Sequence, residues 1–230
     1  MSDTAKAIGA AIAGLAQAAT AAPGSLATEV DRFRLVRENT LTVLGEVSAA
    51  QAEWSPGHGV WSMVQIADHL LRTEEMYRDQ FRQIIDAARE GGDTIRVSLR
   101  DVDSSFAGVP RPVMQLFEFP ARMMSQFMPQ ALREAVIRYP IVSAVNPTAS
   151  SPRPGLELGA VRTGLAASLV ETEKLLLGPL PRNVERPVID HPIMGRTNIR
   201  ELFRVVIVHE ERHQGQIAGL RARADFPRRT

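Results

Sequence analysis

Trp61-Ser62-Met63-Val64-Gln65-Ile66-Ala67-Asp68-His69-Leu70 opens the most strongly patterned part of the chain. Ser62 followed three residues later by Gln65 forms a capping box, in which each side chain satisfies the other's backbone N–H at a helix start. Trp61 and Ile66 stand where a hydrophobic staple would close over that cap. Downstream, Ile66, Leu70, Thr73, Tyr77, Phe81, Ile84 and Ala88 recur at steps of three and four until Gly91-Gly92. That period describes one buried face of a long helix.

The same pattern appears on either side. Leu26, Val30, Phe33, Leu41, Leu44 and Val47 form a helical stripe from Ser25, which Trp54-Ser55-Pro56-Gly57-His58-Gly59 ends. A third helix is expected over about Leu158–Leu177, before Gly178-Pro179. A fourth follows Pro192 and Gly195, capped by Thr197 or Asn198, and is expected to run to about Ala224. Four long helices without an alternating strand pattern predict an all-α chain, an antiparallel four-helix bundle. Between the second and third helices, residues 93–155 carry Pro110, Pro112, Pro120, Pro129, Pro140, Pro147, Pro152 and Pro154. This long Pro-rich insertion leaves room only for short helices. Inside it Met114, Phe117, Met124, Phe127 and Met128 read as a loop underside packed on the core, or as an apolar wall for a ligand. Residues 25–227 are read as one domain, and 1–24 as an Ala-rich tail or short helix. A signal peptide has a similar look, but Ala is weakly apolar and Gln17 interrupts the run.

Composition narrows the function. The 230 residues are 44% apolar and 23% charged, with a formal net charge of +1. Such a balance gives no concentrated basic face for nucleic acid. Arg221, Arg223, Arg228 and Arg229 suit the dipole at the end of a last helix. No apolar run reaches the ~20 residues of a membrane span, so a cytoplasmic protein with a small-molecule substrate is expected. The sequence contains no cysteine, so any metal must take nitrogen and oxygen ligands and any thiol chemistry needs an external thiol.

The chemistry concentrates in His209-Glu210-Glu211-Arg212-His213. At about 100° per residue, the two imidazoles leave the helix about 40° apart, one turn from each other. Leu202, Val206, Gln216, Ile217 and Leu220 share their side of the wheel, which places both histidines in the buried stripe, with Glu211 and Arg212 pointing away. Two buried imidazoles need partners, and either a shared metal ion or ordinary hydrogen bonds would serve. The string also fits HExxH, with Glu210 as the general base of a zinc protease. That mechanism needs a further ligand downstream, and the residues after His213 include no His or Glu. A third ligand must come from upstream. His69, in the middle of the second helix, is the best placed, whereas His58 and His191 lie in Pro/Gly-containing loops.

The opening stretch, together with His191-Pro192-Ile193-Met194-Gly195 and His209-Glu210-Glu211-Arg212-His213-Gln214-Gly215-Gln216-Ile217, resembles the DinB-like metal-binding bundles. The likeness spans most of residues 28–226, and two separated motifs in the right order are far more specific than HExxH alone. It implies a four-helix bundle, often a homodimer, with a divalent metal held by His69, His209 and His213; three imidazoles suit zinc or nickel, with iron and manganese left open. Gln216 would neighbour those ligands and orient one of them or a water; Glu210, about 100° from His209 at the edge of that face, is a further candidate read from the helix itself. The resemblance further implies a transferase that activates a low-molecular-weight thiol cosubstrate, as relatives using bacillithiol or mycothiol do. A metal-dependent hydrolase using metal-bound hydroxide and a non-catalytic metal-binding stress-response module are the alternatives.

Overall fold

The structure is a computed structural model describing residues 25–57, 59–97, 129–138, 150–191 and 195–228. Among them the chain is mostly helical, and the helix starts follow capping chemistry. Helix α1 (Leu26–Gly45) begins where the Ser25 side chain accepts from the Thr28 N–H. A short α2 (Ala49–Glu53) is set by a Ser48–Gln51 capping box. In α3 (Met63–Glu90) the Gln65 N–H donates to Ser62 and the Ser62 N–H donates to the Gln65 side chain. It stops at Gly91, whose φ of 78° is a left-handed conformation that glycine adopts without penalty. Helix α4 (Gln130–Arg138) falls within the Pro-rich stretch. Helix α5 (Leu158–Leu177) has no side-chain cap. Helix α6 (Ile199–Arg221) opens with an Asn198–Glu201 capping box, so Asn198 rather than Thr197 is the cap, and it ends three residues before Ala224.

Two features were not anticipated: the short α2, set off from the first helical stripe after Gly45, and a sheet. A small sheet joins β1 (Thr94–Arg96), β2 (Val188–His191) and β3 (Gly195–Thr197), parallel between β1 and β2 and antiparallel between β2 and β3. Strands of three or four residues are too short to show a period-two pattern. Ile189 nevertheless anchors the sheet in the core, fully buried beside Phe203 and Ile207.

The four long helices pack in a closed ring, α1 against α5, α5 against α3, α3 against α6 and α6 against α1. Their directions correct the expectation that the arrangement is antiparallel throughout. Thr40 meets Gln214 and Glu46 meets Arg221, so α1 and α6 run the same way. Leu71 lies against Gly164 and Arg78 bonds Ser168 and Thr172, so α3 and α5 also run together. Phe81 against Phe203 and His69 against His213 show that α3 and α6 are opposed. The reason is the connection between α3 and α5, which must return the chain to the end where α3 began. Only a long crossover can do that. Most of it (98–128 and 139–149) lies outside the described residues, and so do Met114, Phe117, Met124, Phe127 and Met128.

The core is split along the helix axes. One apolar cluster contains Phe33, Phe81, Ile84, Phe203 and Ile207; the other contains Leu44, Met63, Ile66, Leu165 and Ile217. Between them every long helix contributes polar side chains: Arg37 and Thr40, Thr73 and Glu74, Ser168 and Thr172, Glu210 and His213, all buried. Burying this layer is costly unless each group is paired. Arg37 is paired on both sides, with Nε and Nη2 on the two Glu210 oxygens at 2.8 and 2.7 Å, Nη2 on Glu74 at 2.8 Å and Nη1 on the Leu165 carbonyl. Thr40 donates to Glu210 and Thr172 to Glu74.

Candidate metal centre

The histidines belong to this polar layer. His69 projects from the first half of α3, and His209 and His213 from successive turns of α6. The helical periodicity that buries Ile66 and Leu70, and Val206 and Ile217, turns the imidazoles inward as well. The Nε2 of His209 lies 3.2 Å from that of His69 and 3.1 Å from that of His213. His69 and His213 are each 2% exposed, and His209 is half-buried.

The outer ring nitrogens determine what those short contacts mean. His69 Nδ1 lies 2.7 Å from the Ser150 carbonyl oxygen, and His213 Nδ1 lies 2.7 Å from Gln216 Oε1. An oxygen with no proton can only accept, so both Nδ1 atoms carry the hydrogen. A neutral ring then presents a bare lone pair at Nε2. His209 can donate at most one proton from its own Nε2, so at least one of the two lone pairs that face it is left without a donor from the three rings. A shared cation would accept a lone pair from every ring at once. Ligand bonds of about 2.0–2.1 Å put neighbouring nitrogens about 2.8–3.4 Å apart for ligand angles from a right angle to tetrahedral, and both observed distances fall inside that range. The donor set therefore fits a divalent ion of nitrogen preference, and among the described residues these three form a group able to hold one.

Electrostatics keeps the rings neutral, as ligands must be. Burial, the largest cause, lowers the pKa of His69; the Ser150 carbonyl opposes it and the Arg212 charge adds to it. His209 is held well below its ordinary value by burial and by His213, His69 and Arg212. His213 is lowered to about 3 by burial, His69 and Arg212, against Gln216.

Surrounding residues hold the rings in place. Asp68, fully buried beside His69, accepts from the Arg153 backbone at 2.7 Å and its guanidinium at 2.6 Å. Arg72 donates to the Ser151 carbonyl. Together they fix the strand of chain whose Ser150 carbonyl orients His69. Trp61 packs on the cluster, its ring 4.9 Å from that of His69 and near-parallel to that of His213 at 6.5 Å. Gln216 stands directly behind His213. Glu210 faces the other way, with both oxygens engaged by Arg37 and Thr40. His191 ends β2 opposite Gly195 and is not part of the cluster, while His58 lies outside the described residues.

Beside His213 opens a cavity of about 510 Å³. Val60, Trp61, Ile66 and Leu220 give it an apolar wall, and Gln216, Arg212 and Arg223 a polar one. Arg212 was expected to point away from the site. It lies about 60° from His209 on the wheel, near enough for so long a side chain to reach the cavity. Asp68, Ser150 and Trp61 had no sequence signal as site residues, because two act through folded proximity and one through its backbone.

A ring of four long helices, with three imidazoles brought together between two of them, defines a class of helical proteins with a group able to hold a metal ion. Residues 32–217 match the family model of the DinB superfamily, and the chain belongs to that superfamily. Searches of curated proteins and of solved structures return no significant match.

Proposed function

We propose that the chain is a four-helix bundle in which His69, His209 and His213 bind a divalent metal, zinc or nickel, for transfer of a low-molecular-weight thiol onto an electrophilic substrate. The observation that carries the metal reading is the convergence of three Nε2 atoms, two of whose rings have their outer nitrogen already committed as donor. With neutral ligands only, a divalent ion keeps its charge and lowers the pKa of a thiol or water bound to it. Trp61, Val60 and Leu220 would exclude water from one side of the adjoining cavity and receive the apolar part of a substrate. A thiol source other than the protein is required, since the sequence has no cysteine. Hydrolysis with Glu210 as base has less support, because that carboxylate is held by Arg37 away from the cavity.

Elemental analysis of protein purified without a histidine tag tests the site. A single zinc or nickel per chain is expected, with most of it lost in His69→Ala, His209→Ala and His213→Ala. Full metal content in His69→Ala would end this reading. The transfer reading is tested by incubating metal-loaded protein with thiols and a chromogenic electrophile. Metal-dependent loss of both is expected, and no conjugation with any thiol would overturn it.

A further inference from the structure

Arg212 is half-buried and, among the described residues, has neither an ion-pair nor a hydrogen-bond partner. The other guanidinium at the cavity differs, being held by both oxygens of Asp225 at 2.8 and 2.9 Å. Among the described residues, no carboxylate belongs to the cavity wall. Arg212 also immediately precedes His213 on α6, and both residues line the same cavity. A cation with no anionic partner among the described residues, beside a site for a divalent cation, is an unfavourable arrangement by Coulomb's law, and low local dielectric makes it worse. It becomes favourable when an anion lies between the two. A guanidinium matches a carboxylate bidentately, and one unpaired positive charge matches one negative charge. The apolar side of the cavity, including Val60 at 47% exposure, then covers an uncharged body attached to that anion.

We infer that the cavity beside His213 binds a small carboxylate-bearing molecule whose anionic group docks on Arg212. This rests on the metal reading for the role of the neighbouring site, although carboxylate docking can be measured without metal. The carboxylate belongs either to the thiol or to its reaction partner, and the two cases bind differently.

Trp61 fluorescence and calorimetry would be followed with N-acetylalanine, its uncharged amide, N-acetylcysteine and N-acetylcysteinamide, each on metal-free and zinc-loaded protein. The acids are expected to bind about tenfold or more tightly than their amides, a difference that Arg212→Gln abolishes and Arg212→Lys partly keeps. Arg212→Gln should also bind zinc more tightly, because a like charge has gone. A merely structural role would instead weaken zinc binding and lower the unfolding midpoint together. If N-acetylalanine and N-acetylcysteinamide bind simultaneously, the carboxylate is on the reaction partner; if they compete, it is on the thiol. Equal binding of acids and amides by protein that holds zinc would overturn the inference alone. Arg212-dependent acid binding by protein that holds no zinc would leave it standing and remove the metal reading.

Discussion

A histidine becomes a ligand through its second nitrogen as much as its first. In His213 the Gln216 oxygen holds the proton on Nδ1 and leaves Nε2 free to donate its lone pair. Gln216→Ala removes that orientation without opening the core, since Gln216 is exposed. Metal affinity is expected to fall about 10–100-fold with the fold intact, read by competition with a chromogenic chelator. Unchanged affinity would show that Gln216 does not set the ring. The same neutral rings give the metal-free protein an acid-sensitive stability. Unfolded, each imidazole protonates near 6.5, whereas folded His213 resists until about 3. Below 6.5 the unfolded chain therefore binds more protons, and stability is complete above that value and lost as pH falls from it toward 3. The unfolding midpoint of metal-free protein should drop between about pH 7 and pH 5, less so in His213→Gln. A midpoint that stays level across that interval would contradict the buried neutral cluster.

At the scale of the helix, α6 carries two kinds of polar residue on adjacent positions with opposite duties. His209 faces the imidazole cluster, and Glu210 crosses the core to Arg37. Glu210→Ala would leave Arg37, 1% exposed, with half of its charge partners gone. Breaking one partner of a buried pair costs about 3–5 kcal/mol, so a large fall in the denaturation midpoint is expected. Metal content per folded molecule should persist, and loss of metal without loss of stability would instead put Glu210 at the site. The elements themselves were largely legible beforehand. Ser62–Gln65 and Asn198–Glu201 mark helix starts by local chemistry, and the spacing of His209 and His213 follows from the helical turn alone. What escaped the sequence depends on distance along the chain. The strands pair residues 94–96 with 188–190 in short segments without periodicity, and the shared direction of α3 and α5 depends on a crossover whose course no local motif records. His69 was legible as a buried residue of α3, but the carbonyl of Ser150 that orients it comes from 81 positions away.

In the whole molecule, the polar layer is where stability and binding meet. The two apolar clusters lie on either side of it, so the four helices share a middle layer of charges and imidazoles that apolar packing alone cannot hold. A cation bound by His69, His209 and His213 would tie α3 to α6 across that layer, in the native state only. Ligand that binds the folded form stabilises it by an amount set by its excess over Kd, about 4 kcal/mol at a thousandfold excess. For a chain of this size each kcal/mol moves the midpoint by about 2–4 °C, so zinc should raise it by about 8–16 °C. The rise should grow with zinc concentration, reverse with chelator, and be absent in His69→Ala, which keeps both α6 imidazoles but loses the link to α3. Persistence of the zinc effect in that variant would mean that His209 and His213 bind metal by themselves, within one helix, and that the convergence of α3 on α6 serves packing alone.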